Sequence, residues 1–349
     1  MGYKVGISGN SLDLVEGIEP WDDNLQFSAH RLHRIEERRK TNKQRRNLKQ
    51  VCIAVLVAII LSSGVALGAK QLDNFASGTR GPRAAAGLNA DVTSVKYSAT
   101  PFDTALNLSA LQTDDYLQLV SHNYAIQNTP SEASLSELPR SVPAAREGML
   151  LHPTAITATA ALLELGQAKG FGPFHVASGF RSVERQAQLY DQKGDSAFVK
   201  PAGHSEHHTG LAIDLVPTQL TAAGGALSEL LDGSSPDEQW LADNAWRFGF
   251  ILRYPEGAQA ITGIAFESWH FRYVGLPHAW YMWQHNIVLE EYLDRLEEKG
   301  GFDVVIGEQS FSVRFSQAEN GVVYVPDNRE FSISSDNRGT GNYIVTAWD

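Results

Sequence analysis

Ser205-Glu206-His207-His208-Thr209-Gly210-Leu211-Ala212-Ile213-Asp214, with Glu267-Ser268-Trp269-His270 further along the chain, holds the parts of a catalytic metal site. Two neutral imidazoles and one carboxylate form a three-ligand set that leaves the fourth position of zinc open for water, and a spare glutamate beside the last histidine supplies a base. That combination points to hydrolysis. His207 and Asp214 are separated by Gly210 and Ala212, which suits a turn feeding a short strand whose small residues let backbone pass close to a metal. In an extended stretch Ala212 and Asp214 face the same way. His270 follows Asp214 by 56 residues, so the fold itself has to deliver the third ligand. Glu267 stands three residues before His270, near enough to reach the metal's surroundings without ligating it. His204 and His208 are rival ligands on spacing alone.

Working outward, Ser178-Gly179-Phe180-Arg181-Ser182 lies upstream, and Arg253-Tyr254-Pro255, Ile261-Thr262-Gly263-Ile264 and Trp269-His270-Phe271-Arg272-Tyr273-Val274-Gly275 lie downstream. Together with Ser205-x-His207-x-x-Gly210-x-Ala212-x-Asp214 and Glu267-x-Trp269-His270, this order of motifs resembles the VanY-type D-alanyl-D-alanine carboxypeptidases of the LAS (M15) zinc peptidases. The resemblance covers roughly residues 114–297, and no key position departs from the family's pattern. It implies Zn2+ as cofactor, held by His207, Asp214 and His270, and Glu267 as catalytic base. It further implies that Arg181 contacts the peptide near the scissile carbonyl and that Gln186 and Ser205 line the substrate cleft. His208 falls at a variable position of the motif and stays out of the site. His204 is expected to support the fold.

The implied chemistry is consistent with these side chains. Zinc lowers the pKa of a bound water towards about 7. A guanidinium is suited both to charge developing on a carbonyl oxygen and to a substrate that ends in a free carboxylate. Read alone, Arg181 would be a surface cation paired with Glu184 at the start of a helix. Trp246, Trp269, Phe271 and Trp280 read as core.

Val51 to Ala69 is uncharged over 19 residues, about 28 Å of helix and just enough for a bilayer core. Residues 31–49 hold nine Lys or Arg against two Glu, a basic flank that should remain cytoplasmic. The expectation is a single-pass protein of the bacterial cell membrane, anchored through residues 51–69, with its C-terminal portion outside. A cleaved signal peptide ending near Ala66-Leu67-Gly68 is the alternative, disfavoured by the long leader and long apolar stretch. Cys52 is the only cysteine, so the outer portion can form no internal disulfide. The net charge is −11 although the first 50 residues carry ten Lys or Arg against seven Asp or Glu, and so acidic an outer portion argues against nucleic acid as a partner.

Composition shifts divide the chain into a polar, basic tail (1–50), an anchor (51–69), a Gly/Ala/Ser/Thr-rich linker (70–113), a catalytic domain (114–297) and a β-rich module (298–349). The expected class is α+β, a LAS-type domain with a small antiparallel sheet flanked by helices. Helices are expected over Pro153 to Ala168 and Val183 to Tyr190, and strands over His175 to Ser178, Ala212 to Val216 and His270 to Val274. Beyond Phe302, short alternating strands separated by Glu319-Asn320-Gly321 and Asp336-Asn337-Arg338-Gly339 suggest a module too small to bury a core alone, expected to pack on the catalytic domain. The reading that results is a membrane-anchored D,D-carboxypeptidase that removes the C-terminal D-alanine of peptidoglycan stem peptides or their precursors. An L,D-carboxypeptidase acting on tetrapeptide stems, or a non-catalytic wall-binding protein on the same fold, is the alternative.

Overall fold

The computed structural model describes residues 92–110, 113–194, 198–220, 226–339 and 341–349, and these fall within one unit, Ala76–Asp349. The basic tail and the Val51 to Ala69 stretch lie outside the described residues, among which no helix is long and apolar enough to cross a membrane. Strands β1 (Val92–Tyr97) and β2 (Thr104–Asn107) come first, then two-residue strands β3 (Ser136–Glu137) and β4 (Leu150–Leu151), which pair with each other. Helix α1 (Pro153–Ala168) starts where Pro153 needs no N–H partner and where the His152 ring accepts from the Thr154 N–H; its buried stripe of Ala155, Ala158, Thr159, Leu162 and Gly166 follows helical spacing. β5 (Phe174–Ser178), α2 (Val183–Lys193), β6 (Ala212–Pro217), α3 (Pro236–Asn244), β7 (Phe250–Tyr254), β8 (Glu267–Tyr273), α4 (Leu276–His285) and α5 (Leu289–Lys299) follow.

The four strands β5-β6-β8-β7 form an antiparallel sheet, and its middle strands β6 and β8 are buried along their whole length. α1 and α3 cover one face, joining Leu162, Trp240 and Leu241 to Val176, Ile213 and Phe271 in one apolar cluster. Each fully buried Leu or Phe of this kind contributes about 1.5–3 kcal/mol. The central layout is therefore the expected mixture of helices with a small antiparallel sheet.

The last strands are β9 (Gly301–Ile306), β10 (Gln309–Gln317), β11 (Val322–Val325), β12 (Glu330–Ser335) and β13 (Asn342–Trp348). They form a five-stranded sheet ordered β1-β9-β10-β13-β12, beside the small β2-β11 pair. One boundary expected from composition changes here. Residues from Val92 onward are no tether, because Val92, Val95 and Tyr97 of β1 pack on the apolar face of the sheet they join. The 298–349 module packs on the catalytic domain as expected: Phe302, Val304, Phe311, Val313 and Ile344 share a continuous core with Leu117, Trp280, Tyr292 and Leu293. Alternation of side chains had been legible, but the partner strand for β9, some 200 residues upstream, had not.

Candidate metal centre

Strand register assembles the site. On β6, Asp214 lies opposite Ser178 of β5 on one side and opposite His270 of β8 on the other. Directly opposed residues carry their side chains on one face about 5 Å apart, so β pairing closes the 56-residue gap between the two candidate ligands. His207 arrives from the turn before β6, Glu206–Thr209, which ends at Gly210 in the left-handed conformation (φ 67°). A side chain at Gly210 would also meet Leu135 at 2.7 Å, so this position is restricted twice over.

The three donors converge. His270 Nδ1 is 3.1 Å from Asp214 Oδ1, and His207 Nε2 is 3.5 Å from Asp214 Oδ2. Tetrahedral zinc with bonds near 2.0–2.1 Å separates its ligand atoms by about 3.3 Å, so these spacings fit that ion. One donor atom from each of His207, Asp214 and His270 lies within 4.8 Å of the others, and all three residues are buried. His207 donates its Nδ1–H to the Gly179 carbonyl at 2.8 Å, which leaves Nε2 as the free donor. The two rings meet edge-on, 5.0 Å apart at 86°.

Electrostatics describe a place short of one cation. Glu267 Oε2 stands 3.4 Å from His270 Nδ1. Burial, helped by the negative Asp214 and Glu206, pushes the Glu267 carboxyl up to about 8 against the pull of His270 and Arg181. Burial would discharge His270, yet Asp214, Glu206 and Glu267 together hold its imidazolium, raising it to about 10. Asp214 is held well below the usual carboxylate range; burial opposes this, but His207 and His270 outweigh it. A divalent ion at the convergence point would relieve the same imbalance without a proton.

Arg181 lies at the same cleft, of about 460 Å³, with Gln186, Ser205, His207, Asp214, Glu267 and His270. All seven residues singled out from the sequence are thus brought together. The Arg181 guanidinium donates to Gln186 Oε1 at 2.8 Å and to Ser178 Oγ at 3.2 Å, not to Glu184, which is exposed. Gln186 in turn donates to the Lys200 carbonyl at 2.6 Å, fixing the far side of the fork. Of the core tryptophans, Trp246 and Trp280 are buried as expected, whereas Trp269, though only 6% exposed, also walls the cleft facing Phe198.

The VanY family profile, described as D-alanyl-D-alanine carboxypeptidase, matches residues 148–276, which hold Arg181, Gln186, Ser205, His207, Asp214, Glu267 and His270. The putative carboxypeptidase YodJ of Bacillus subtilis is 31% identical over 195 residues, covering 53% of this chain and 69% of that protein. The chain belongs to the VanY family. A D-alanyl-D-alanine carboxypeptidase of Enterococcus faecium is 38% identical over 169 residues, 48% of this chain, and the chain spans about half (52%) of that relative's length. Among solved structures, a vancomycin-resistance D,D-dipeptidase, VanXYg, aligns over 74% of this chain and all of its own with a TM-score of 0.58 at 24% identity, a likeness of fold.

Several side chains around this VanY-family site escaped the sequence reading. His208 is fully buried, donates Nδ1–H to the Arg181 carbonyl at 2.7 Å and accepts from the Gly203 N–H at 3.1 Å, so it splints the segment that carries Arg181. His204 supports the fold, as expected, by tying its ring to the Ser121 carbonyl at 2.8 Å. Glu206, Arg253 and Arg272 are wholly buried ions behind His270. An arginine inside an apolar strand, as in Phe250-Ile251-Leu252-Arg253-Tyr254, was the available signal, because such a charge is retained only with a partner.

Proposed function

We propose that this protein is a zinc carboxypeptidase that removes a C-terminal D-alanine from peptidoglycan stem peptides, acting as a D,D-carboxypeptidase. The observation that carries the reading is the convergence of three buried donors with Glu267 beside them and Arg181 on the same cleft. Family membership and the activity named for the Enterococcus faecium relative support it. His207 through Nε2, Asp214 and His270 through Nδ1 would hold the zinc, which supplies Lewis-acid charge that acidifies water and polarises a carbonyl.

The chain's own groups do the rest. Glu267, as carboxylate, takes a proton from the attacking water at Oε and returns it to the leaving amine, and its place 3.4 Å from His270 Nδ1 sets it beside the convergence point without making it a ligand. Arg181, held by Gln186 and Ser178, aims positive charge where the carbonyl oxygen becomes anionic or where the substrate's terminal carboxylate ends. Trp269, Phe198 and Leu227 give the cleft an apolar wall that limits water.

Release of D-alanine is the test, using a peptide that ends in D-Ala-D-Ala, one that ends in an L-centre followed by a single D-Ala, and a C-terminally amidated control. Cleavage of the first alone supports the D,D reading, and cleavage of the second alone makes the enzyme an L,D-carboxypeptidase. Equal cleavage of the amidated peptide would overturn the exopeptidase reading. We place the enzyme outside the cell membrane, anchored by residues 51–69 with the basic flank inside. In intact cells a tag on residue 1 should then resist external protease while one after Asp349 is digested; the reverse pattern contradicts this topology.

A further inference from the structure

Glu206 is buried beside His207 in the motif, and its two oxygens are used differently. Both arginines take the same one: Arg253 Nε donates to Oε1 at 2.7 Å and Arg272 NH1 donates to it at 3.2 Å. Oε2 is left facing His270 Nε2 at 3.5 Å. Among the described residues, neither Glu206 Oε2 nor His270 Nε2 has a hydrogen-bond partner, so two orphaned buried polar atoms look directly at one another. Were Glu206 present only to neutralise arginines, its second oxygen would have no reason to aim at an imidazole. Nor can the carboxylate swing away. Arg253 is clamped from behind by Glu290 through both terminal nitrogens, at 2.9 and 2.7 Å, and Arg272 is held by the Tyr116 and Gln118 carbonyls at 3.0 and 3.1 Å.

An imidazole has two nitrogens and one proton when neutral, so whatever accepts the proton on one decides which lone pair is free. Resting on the zinc reading above, we propose that Glu206 is a positioning residue for His270: it accepts the Nε2–H, selects the tautomer whose Nδ1 faces Asp214 and Glu267, and sets the plane of the ring. His207 has the Gly179 carbonyl for the same purpose. Because Glu206 and His207 are consecutive, a single turn supplies one ligand and orients another, and the arginine pair stiffens both.

The test uses the full chain and zinc affinity by chelator competition, together with the visible spectrum of the cobalt(II)-substituted protein, which reports ligand geometry without turnover. Glu206→Gln is expected to weaken zinc binding by about 10- to 100-fold and to shift the cobalt spectrum. Glu290→Gln, which loosens Arg253 but leaves the Glu206 carboxylate facing His270, should weaken zinc binding less than Glu206→Gln does. If Glu206→Gln proves too unstable to purify, Glu206→Asp keeps the charge for both arginines while withdrawing the carboxylate from His270, and the same weakening is expected. Parental affinity and spectrum in the foldable Glu206 variant would overturn the proposal, as would equal weakening in Glu290→Gln, which makes the network merely structural. His207→Ala separates the two levels: if it too keeps the parent's zinc affinity, the zinc site itself is misassigned.

Discussion

At the scale of single residues, what a side chain does here depends on what it is left to bond with. Glu267→Gln keeps the shape of the carboxyl but cannot accept a proton, so turnover should fall by about 10²- to 10⁴-fold while metal analysis still finds one zinc per chain. Loss of the metal in that variant would make Glu267 a ligand instead of a base. His208 illustrates the opposite case. Its variable place in the motif marks it as dispensable, yet both ring nitrogens are spent on the backbone at Gly203 and Arg181. His208→Ala is therefore expected to cost about 1–3 kcal/mol of stability through unpaired buried groups, read by thermal melting. It should also lower kcat/KM, because Arg181 loses its splint; parental kcat/KM would contradict that role. His207, Asp214 and His270 were legible because donor chemistry is written in residue type. Glu206 was not, since a lone glutamate reads as surface until the two arginines that face it are seen.

At the scale of elements, β6 was read to within one residue, because Gly210 precedes an apolar run, whereas β8 was read only from His270 and its first three residues, Glu267 among them, were missed as strand. What periodicity does not report is pairing. The opposition of Asp214 to His270 depends on β6 and β8 being neighbours, and the place of β1 beside β9 depends on a contact between distant parts of the chain. Docking of the C-terminal sheet on the helices likewise rests on side chains that look unremarkable alone: His278 of α4 meets the Tyr292 hydroxyl of α5 at 2.6 Å and the Thr346 hydroxyl of β13 at 2.9 Å. Thr346→Val leaves the buried imidazole one partner short and should lower stability by about 1–3 kcal/mol. Zinc affinity should not change, as the pair lies in the shared core away from the cleft. A weakened metal site would mean that sheet docking and site geometry are coupled.

At the scale of the whole molecule, the buried ionisable groups predict how stability responds to pH and metal. Glu267 is raised from 4.5 to about 8 and His270 from 6.5 to about 10, so the folded metal-free protein keeps both protons where the unfolded chain has released them. Stability must then fall as pH rises from 6.5 towards 8. Histidines buried neutral, such as His278 with its pKa lowered to about 3, act the other way, but only below 6.5. In chelator the melting temperature should therefore decline over that window, and bound zinc, replacing the protons as the compensating charge, should flatten the decline. A rising melting temperature in chelator would show that these carboxylates and imidazoles are not coupled as described. The path of the chain carries one more consequence. Asp114, Leu117 and Leu119 bond to Ile333, Ser334 and Asp336, while Arg272 behind His270 grips the same segment at Tyr116 and Gln118. In the chain 217 residues separate Leu117 from Ser334, so the wall behind the site waits for residues 333–336 to emerge. Folding of this domain is then a late, long-range closure, slow by its topology. A nascent chain stalled between β8 and β12 would hold every ligand and still have no finished wall behind them.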